Sequence, residues 1–129
     1  MEGFKEFSYK ILSWVLFDYH FYKNEFEKAL EYLKKFKTNE YYYCKARVYA
    51  KKGAIKNTYE ALNYVPEYQY KAVVFANLKE KDSTYYYLNK MTSIGRITTV
   101  NGMPEFSPFR KELIYQAFLK KNYFPVLNN

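Results

Sequence analysis

The chain has 129 residues, which is one domain's worth and enough to bury an apolar core. Hydrophobic residues make up 49% and charged residues 26%, which excludes a disordered polyelectrolyte; four glycines and four prolines are too few for a turn-rich β-sandwich. The formal net charge of +8 favours an acidic partner, yet no basic run exceeds a pair, as at Lys34-Lys35, Lys51-Lys52, Arg110-Lys111 and Lys120-Lys121. A spread excess of this kind reads first as a solvated surface and only second as a nucleic-acid footprint.

Aromatic residues reach 22%, with 17 tyrosines and 11 phenylalanines. Tyrosine suits half-buried seams between helices, where the ring packs and the hydroxyl stays wet, and equally suits a ligand-binding surface. The single cysteine, Cys44, forbids an intramolecular disulfide and fits a reducing compartment, the cytoplasm. The start Met1-Glu2-Gly3 has no basic stretch followed by a long apolar run, so a signal peptide is not expected. The longest apolar patch, Ile11 to Phe17, is interrupted by Ser13 and too short to cross a bilayer, so membrane insertion is not expected.

Phe4 to Tyr22 reads as a helix, with Phe7, Ile11, Trp14, Phe17 and Phe21 recurring at three-to-four spacing. Lys23-Asn24 is a tight turn. Glu25 to Lys37 follows as a second helix, with Phe26, Ala29, Leu30, Leu33 and Phe36 on one face, Asn24 as N-cap and Glu27 completing a capping box. Thr38 caps a third helix, Asn39 to Lys52, which Gly53 stops as a residue with positive φ would. Ala54 to Tyr64 is its partner and ends at Val65-Pro66. Pro66 opens the next helix, which carries Tyr68, Ala72, Phe75 and Ala76 up to Leu78. Lys79-Glu80-Lys81 is a polar loop, and Asp82 or Ser83 caps a short helix with Tyr85, Leu88 and Met91. Thr92 to Ser107 is less regular: Ile94, Ile97 and Val100 have helical spacing, but Thr98-Thr99 is β-branched and Gly102 and Pro104 are breakers. Ser107-Pro108 opens a last helix to Lys121 with Leu113, Ile114, Ala117, Phe118 and Leu119 on its apolar side, and Phe124-Pro125 closes the ordered part.

The three hairpins align. Phe17, Phe21, Ala29 and Leu33 correspond to Ala46, Ala50, Thr58 and Leu62, and again to Ala72, Ala76, Thr84 and Leu88, at offsets of 29 and then 26 residues. This pattern of helix, turn and helix resembles the tetratricopeptide repeat, whose unit is about 34 residues. Arg47-Val-Tyr49-Ala-Lys-Lys-Gly53 looks like the end of its first helix and turn, and Phe75 to Leu88 like a degenerate copy. The tail from Pro104 to Leu119 is similar to the capping segment after the last repeat in many bacterial members. The repeats here are shorter than the family norm, and Phe17, Thr58 and Thr84 stand where the family carries a small residue.

The expected architecture is all-α: a right-handed solenoid of three hairpins, about 4–37, 39–65 and 66–91, with a C-terminal cap at 92–125, in one domain over 1–129. An antiparallel helical bundle shares every local feature and is the alternative. Three hairpins plus a cap approach the minimum for stability, which suits a segment of a longer protein.

No sequence motif demands a reaction. His20 and Cys44 read as packed side chains, and a helix cap explains Asp82-Ser83. No cofactor, metal or catalytic residue is expected. In the resembled family the first helices of successive hairpins line a concave groove that holds a peptide or helix. By repeat position the resemblance puts Trp14, Asp18, Tyr43, Arg47, Gln69 and Val73 on that groove, with Tyr43 and Arg47 as anchors of the kind that dominate interfaces. The implied function is a non-catalytic interaction scaffold for a protein or peptide partner, acidic by charge complementarity. A basic nucleic-acid-binding domain and self-association through tyrosine seams are the alternatives.

Overall fold

A computed structural model describes residues 2–91 and 94–122, and its regular elements are all helical, with no strand among the described residues. The expected all-α class therefore holds. The expectations at Thr92-Ser93 and Phe124-Pro125 lie outside the described residues. The chain divides into two compact units, Met1–Val65 and Pro66–Asn129.

The first unit holds α1 (Glu2–Tyr22), α2 (Phe26–Leu30), α3 (Thr38–Lys51) and α4 (Ile55–Leu62). Neighbours in sequence pack as pairs, α1 with α2 and α3 with α4. Phe17, Phe21, Ala29 and Leu33 are buried in the first pair, and Ala46, Ala50, Thr58 and Leu62 in the second. Among the described side chains of α1, the buried ones, Phe17 and Phe21, lie in its C-terminal half. Phe7 and Ile11, which share the apolar spacing of Phe17 and Phe21, are exposed, as are Leu12 and Val15.

α2 is much shorter than the periodicity predicts. After Leu30 the chain tightens into turns with three-residue bonds, from the N–H of Glu31 to Lys28, of Tyr32 to Ala29 and of Phe36 to Leu33. Leaving the helix lets Phe36 stack on Trp14, with ring centroids 4.4 Å apart, and Tyr32 stack on His20 at 5.7 Å. Asn24 is not an N-cap. Its φ of 62° makes it the left-handed residue that closes α1, and Glu25 takes the N-cap position. Thr38 is likewise the first residue of α3. The Lys37 N–H before it is met by the carboxylate of Glu40 at 3.0 Å.

The second unit holds α5 (Tyr68–Asn77), α6 (Lys81–Leu88), α7 (Ile94–Asn101), a 3-10 helix (Pro104–Phe109) and α8 (Leu113–Lys121). α5 is its centre, in contact with α6, α7 and the 3-10 helix. α5 starts two residues after Pro66, with Glu67 as N-cap, and α6 starts at Lys81, ahead of the expected Asp82 or Ser83 cap. Thr98-Thr99 do not prevent α7, because Ile97 and Val100 are buried by the helical turn that carries them. Pro108 lies inside the 3-10 helix rather than opening α8, whose N-cap is Glu112. The face of α8 also differs from the expected one. Leu113 is 82% exposed and Ile114 is exposed, while Tyr115, Phe118 and Leu119 are buried and join Phe106 and Phe109 in an aromatic core.

One turn recurs at all three hairpins. At Asn24, Gly53 and Lys79 the backbone has φ of 62°, 76° and 62°. At each, the left-handed residue's N–H bonds the carbonyl three back and the next N–H bonds the carbonyl five back: Asn24 to Phe21 and Glu25 to His20, Gly53 to Ala50 and Ala54 to Tyr49, Lys79 to Ala76 and Glu80 to Phe75. This is the Schellman ending of a helix. It follows the offsets of 29 and 26 found in the apolar pattern. The small-residue position follows them too: Ala29, Thr58 and Thr84 are fully buried, and each threonine hydroxyl donates to the carbonyl four residues back, Ala54 at 2.8 Å and Glu80 at 2.7 Å. Threonine thus occupies a small site by satisfying its hydroxyl locally.

Candidate functional site

α1 and α3 meet along a ladder of side chains. Lys10 pairs with Glu40 at 2.7 Å, Trp14 leans on Tyr43 with centroids 6.1 Å apart, and Asp18 pairs with Arg47 at 2.9 Å. The positions rise together along both helices, so the two run in the same direction, and the register is the 29 or 30 residues of the repeat. Four of the six residues placed on a groove from sequence, Trp14, Asp18, Tyr43 and Arg47, are brought together here. Gln69 and Val73 lie one turn apart on α5 in the second unit.

Arg47 is the centre of this seam. Its side chain is 1% exposed, whereas that of Asp18 is 42% exposed. One guanidinium nitrogen donates to the Asp18 carboxylate and another to the Tyr22 hydroxyl at 3.1 Å. The guanidinium carbon also sits 4.4 Å from the ring centre of Phe21, 5.2 Å from those of Phe17 and Tyr43, and 5.6 Å from that of Tyr22. A planar, weakly hydrated cation can be buried against rings in this way where an ammonium would lose more hydration.

Tyr43, Arg47 and Val73 are therefore core residues, and their side chains are not offered to solvent. The side chains of the α1–α3 face that reach solvent include Trp14, half-buried on Phe36, Asp18, Tyr22 and Lys51, with the Lys10–Glu40 pair partly exposed beside them. Lys51 lies 5.0 Å over the ring of Phe21. Sequence reasoning missed Lys10, Tyr22, Glu40 and Lys51. Their signal is present nonetheless, since Lys10 and Tyr22 continue the four-residue spacing of Trp14–Asp18, Lys51 that of Tyr43–Arg47, and Glu40 lies one helical turn, three residues, before Tyr43.

His20 donates through Nδ1 to Glu25 at 3.0 Å, across the turn between α1 and α2. That bond, assisted by Lys23 and Lys28, holds the Glu25 carboxyl below its usual range. Burial pushes the Cys44 thiol well above its ordinary value, so it is held as a neutral thiol. Among the described residues no group of three or more His, Cys, Asp and Glu is placed to hold a metal ion, and no helix is long and apolar enough to cross a membrane. Comparison of the chain with protein-family models, with curated proteins and with solved structures returns no match.

Proposed function

We propose that the chain is a non-catalytic protein-interaction module built from tetratricopeptide-like hairpins, and that the face shared by α1 and α3 receives a peptide or helix of a partner protein. The observation that carries this reading is the same-direction pairing of α1 and α3 at the repeat register, pinned by Lys10–Glu40 and Asp18–Arg47. Two leading helices side by side present a rigid ridge-and-groove surface, and ordering it beforehand removes part of the entropy cost of docking. Trp14 and Tyr22 supply half-buried rings there, and Asp18 and Lys51 supply charges of both signs. Arg47 and Tyr43 act beneath this surface by holding it in place.

A photo-reactive residue at Trp14 tests this. It should trap a protein partner, while the same group at the exposed Leu113 of α8 should not. Equal trapping at both positions, or none at either, rejects the assignment.

The alternative of a basic nucleic-acid-binding domain rests on the charge of +8 and on lysines set over tyrosine rings, as Lys45 over Tyr41 and Lys90 over Tyr86. Oligonucleotide binding across a salt series separates the two, because contacts to phosphate weaken steeply with salt.

A further inference from the structure

The first unit carries an open cleft of about 480 Å³ between α3 and the end of α4. That volume is within the range of small-ligand sites. It lies apart from the ladder on the α1–α3 face: none of Lys10, Trp14, Asp18, Tyr43 or Arg47 lines it. Its rings are Tyr41, Tyr42, Tyr49 and Tyr64. Tyr64 reaches back from the end of α4 to stack on Tyr42, with centroids 4.3 Å apart and planes at 22°. Tyr41 stands edge-on to Tyr42 at 5.1 Å. Lys45 spans the rings one turn to either side, 5.6 Å over Tyr41 and 5.8 Å over Tyr49.

Every polar side chain of this wall but one can donate a hydrogen bond. Four tyrosine hydroxyls, the Lys45 ammonium and the amides of Asn57 and Asn63 can all donate hydrogen bonds, and Glu60 is the only group there that solely accepts. Lys45 and Glu60 also cancel in charge. A suitable ligand is therefore rich in acceptors, apolar between them and uncharged. A nucleic acid brings a phosphate per residue to a cleft of zero formal charge, and a sugar brings hydroxyl donors of its own that need acceptors in the wall. A proline-rich chain in the polyproline II form matches all three demands. Its carbonyls point outward without internal partners, its prolines carry no N–H, and its rings lie flat on aromatic faces.

We propose that this cleft binds a proline-rich peptide segment, with Tyr42 and Tyr64 as the stacked ridge on which the proline rings rest. Lys45, Asn63 and the tyrosine hydroxyls donate to the peptide's carbonyls. Because the extended form exists before binding, little ordering opposes the contact. This site stands independently of the α1–α3 face and does not need that reading to hold.

The test is a titration of the ¹⁵N-labelled full chain with decaproline, with a glycine–serine decapeptide and oligothymidylate as controls. Decaproline should give saturable shifts concentrated in residues 41–64, and neither control should. Tyr64→Ala, at a ring 55% exposed, should weaken decaproline about tenfold, the scale of losing one anchoring ring. If that variant loses its helical circular dichroism, Asn63→Ala on the exposed surface decides instead, with about a threefold loss expected for one donor. Absence of saturable shifts, shifts centred outside 41–64, undiminished binding in the deciding variant, or equal binding of either control overturns the proposal.

Discussion

Asp18 and Arg47 meet at 2.9 Å across the seam between α1 and α3, and they stand 29 positions apart, the separation that also divides Asn24 from Gly53 and Ala29 from Thr58. The ion pair is thus an interaction between successive copies of one structural unit. It is asymmetric, with the cation buried among four rings and the anion open to water on one side.

That asymmetry ranks two substitutions. Arg47→Ala removes the ion pair, the bond to Tyr22 and the filling of a ring-lined space, while the Asp18 it leaves behind can be rehydrated. We expect a loss of about 3 kcal/mol in urea unfolding, the size of a buried-pair or large-to-small core change. Asp18→Asn keeps an oxygen for the guanidinium and gives up a charge already screened by solvent, so about 1 kcal/mol is expected. Equal losses would mean that charge rather than packing holds the seam.

The three turns make a second ordered prediction. A side chain in the left-handed region costs about 1 kcal/mol relative to glycine, less for asparagine, which tolerates that region. Lys79→Gly should therefore raise the midpoint of thermal unfolding more than Asn24→Gly does. Gly53→Ala should lower it, although nothing lies within 4 Å of the added methyl group, because the strain is in the backbone at φ +76°. A neutral Gly53→Ala would show that this turn relaxes at no cost.

The repeat is readable in the amino-acid sequence because it is carried by buried positions with strong local spacing: Phe17, Ala46 and Ala72, then Leu33, Leu62 and Leu88. Gly53 announces its turn by residue type, whereas Lys79 gives no such sign and takes the same φ only because the next N–H, that of Glu80, is held by Phe75. Periodicity overextends α2, since Phe36 keeps helical spacing while leaving the helix for Trp14. It also misassigns the face of α8, where two apolar arcs compete and the Tyr115 hydroxyl, bonded to Asn101 at 2.7 Å, settles which one turns inward. Four of the six expected groove residues, Trp14, Asp18, Tyr43 and Arg47, were legible as neighbours. The burial of Arg47 was not, because a charged residue at helical spacing reads as surface until the rings and carboxylate that enclose it are in place.

Acid should weaken the second unit through Glu112. Its carboxylate accepts from Lys81 at 2.6 Å and from the Tyr85 hydroxyl at 2.7 Å, joining α6 to the start of α8. The bond from Lys81, then that from Tyr85, hold its carboxyl below the usual range. A depressed folded-state value means the stabilisation is complete above the ordinary glutamate range and fades as pH falls below it. Wild type should therefore lose melting temperature below about pH 4.5 faster than Glu112→Gln does. Parallel curves for the two proteins would remove Glu112 from the acid response.

Alkali should act on the same unit with the opposite sign. Tyr115 is fully buried in the aromatic core, and that burial, only partly offset by Arg110, pushes its phenol up to about 12. A raised folded-state value favours the neutral phenol in the fold, so its contribution is complete below the ordinary tyrosine value of about 10 and is lost as pH climbs from there through 12. Tyr115→Phe gives up the bond to Asn101, which should cost about 1 kcal/mol near neutrality. Above pH 10 the variant should lose stability less steeply than the wild type, because one phenolate no longer has to form inside the core. Melting temperatures between pH 8 and 11.5, taken as the difference between the two proteins, isolate this residue from the other tyrosines. A difference that stays constant across that range would place the alkaline loss elsewhere, with Tyr85→Phe as the next substitution to measure, since burial and the Glu112 carboxylate raise that phenol in the same direction.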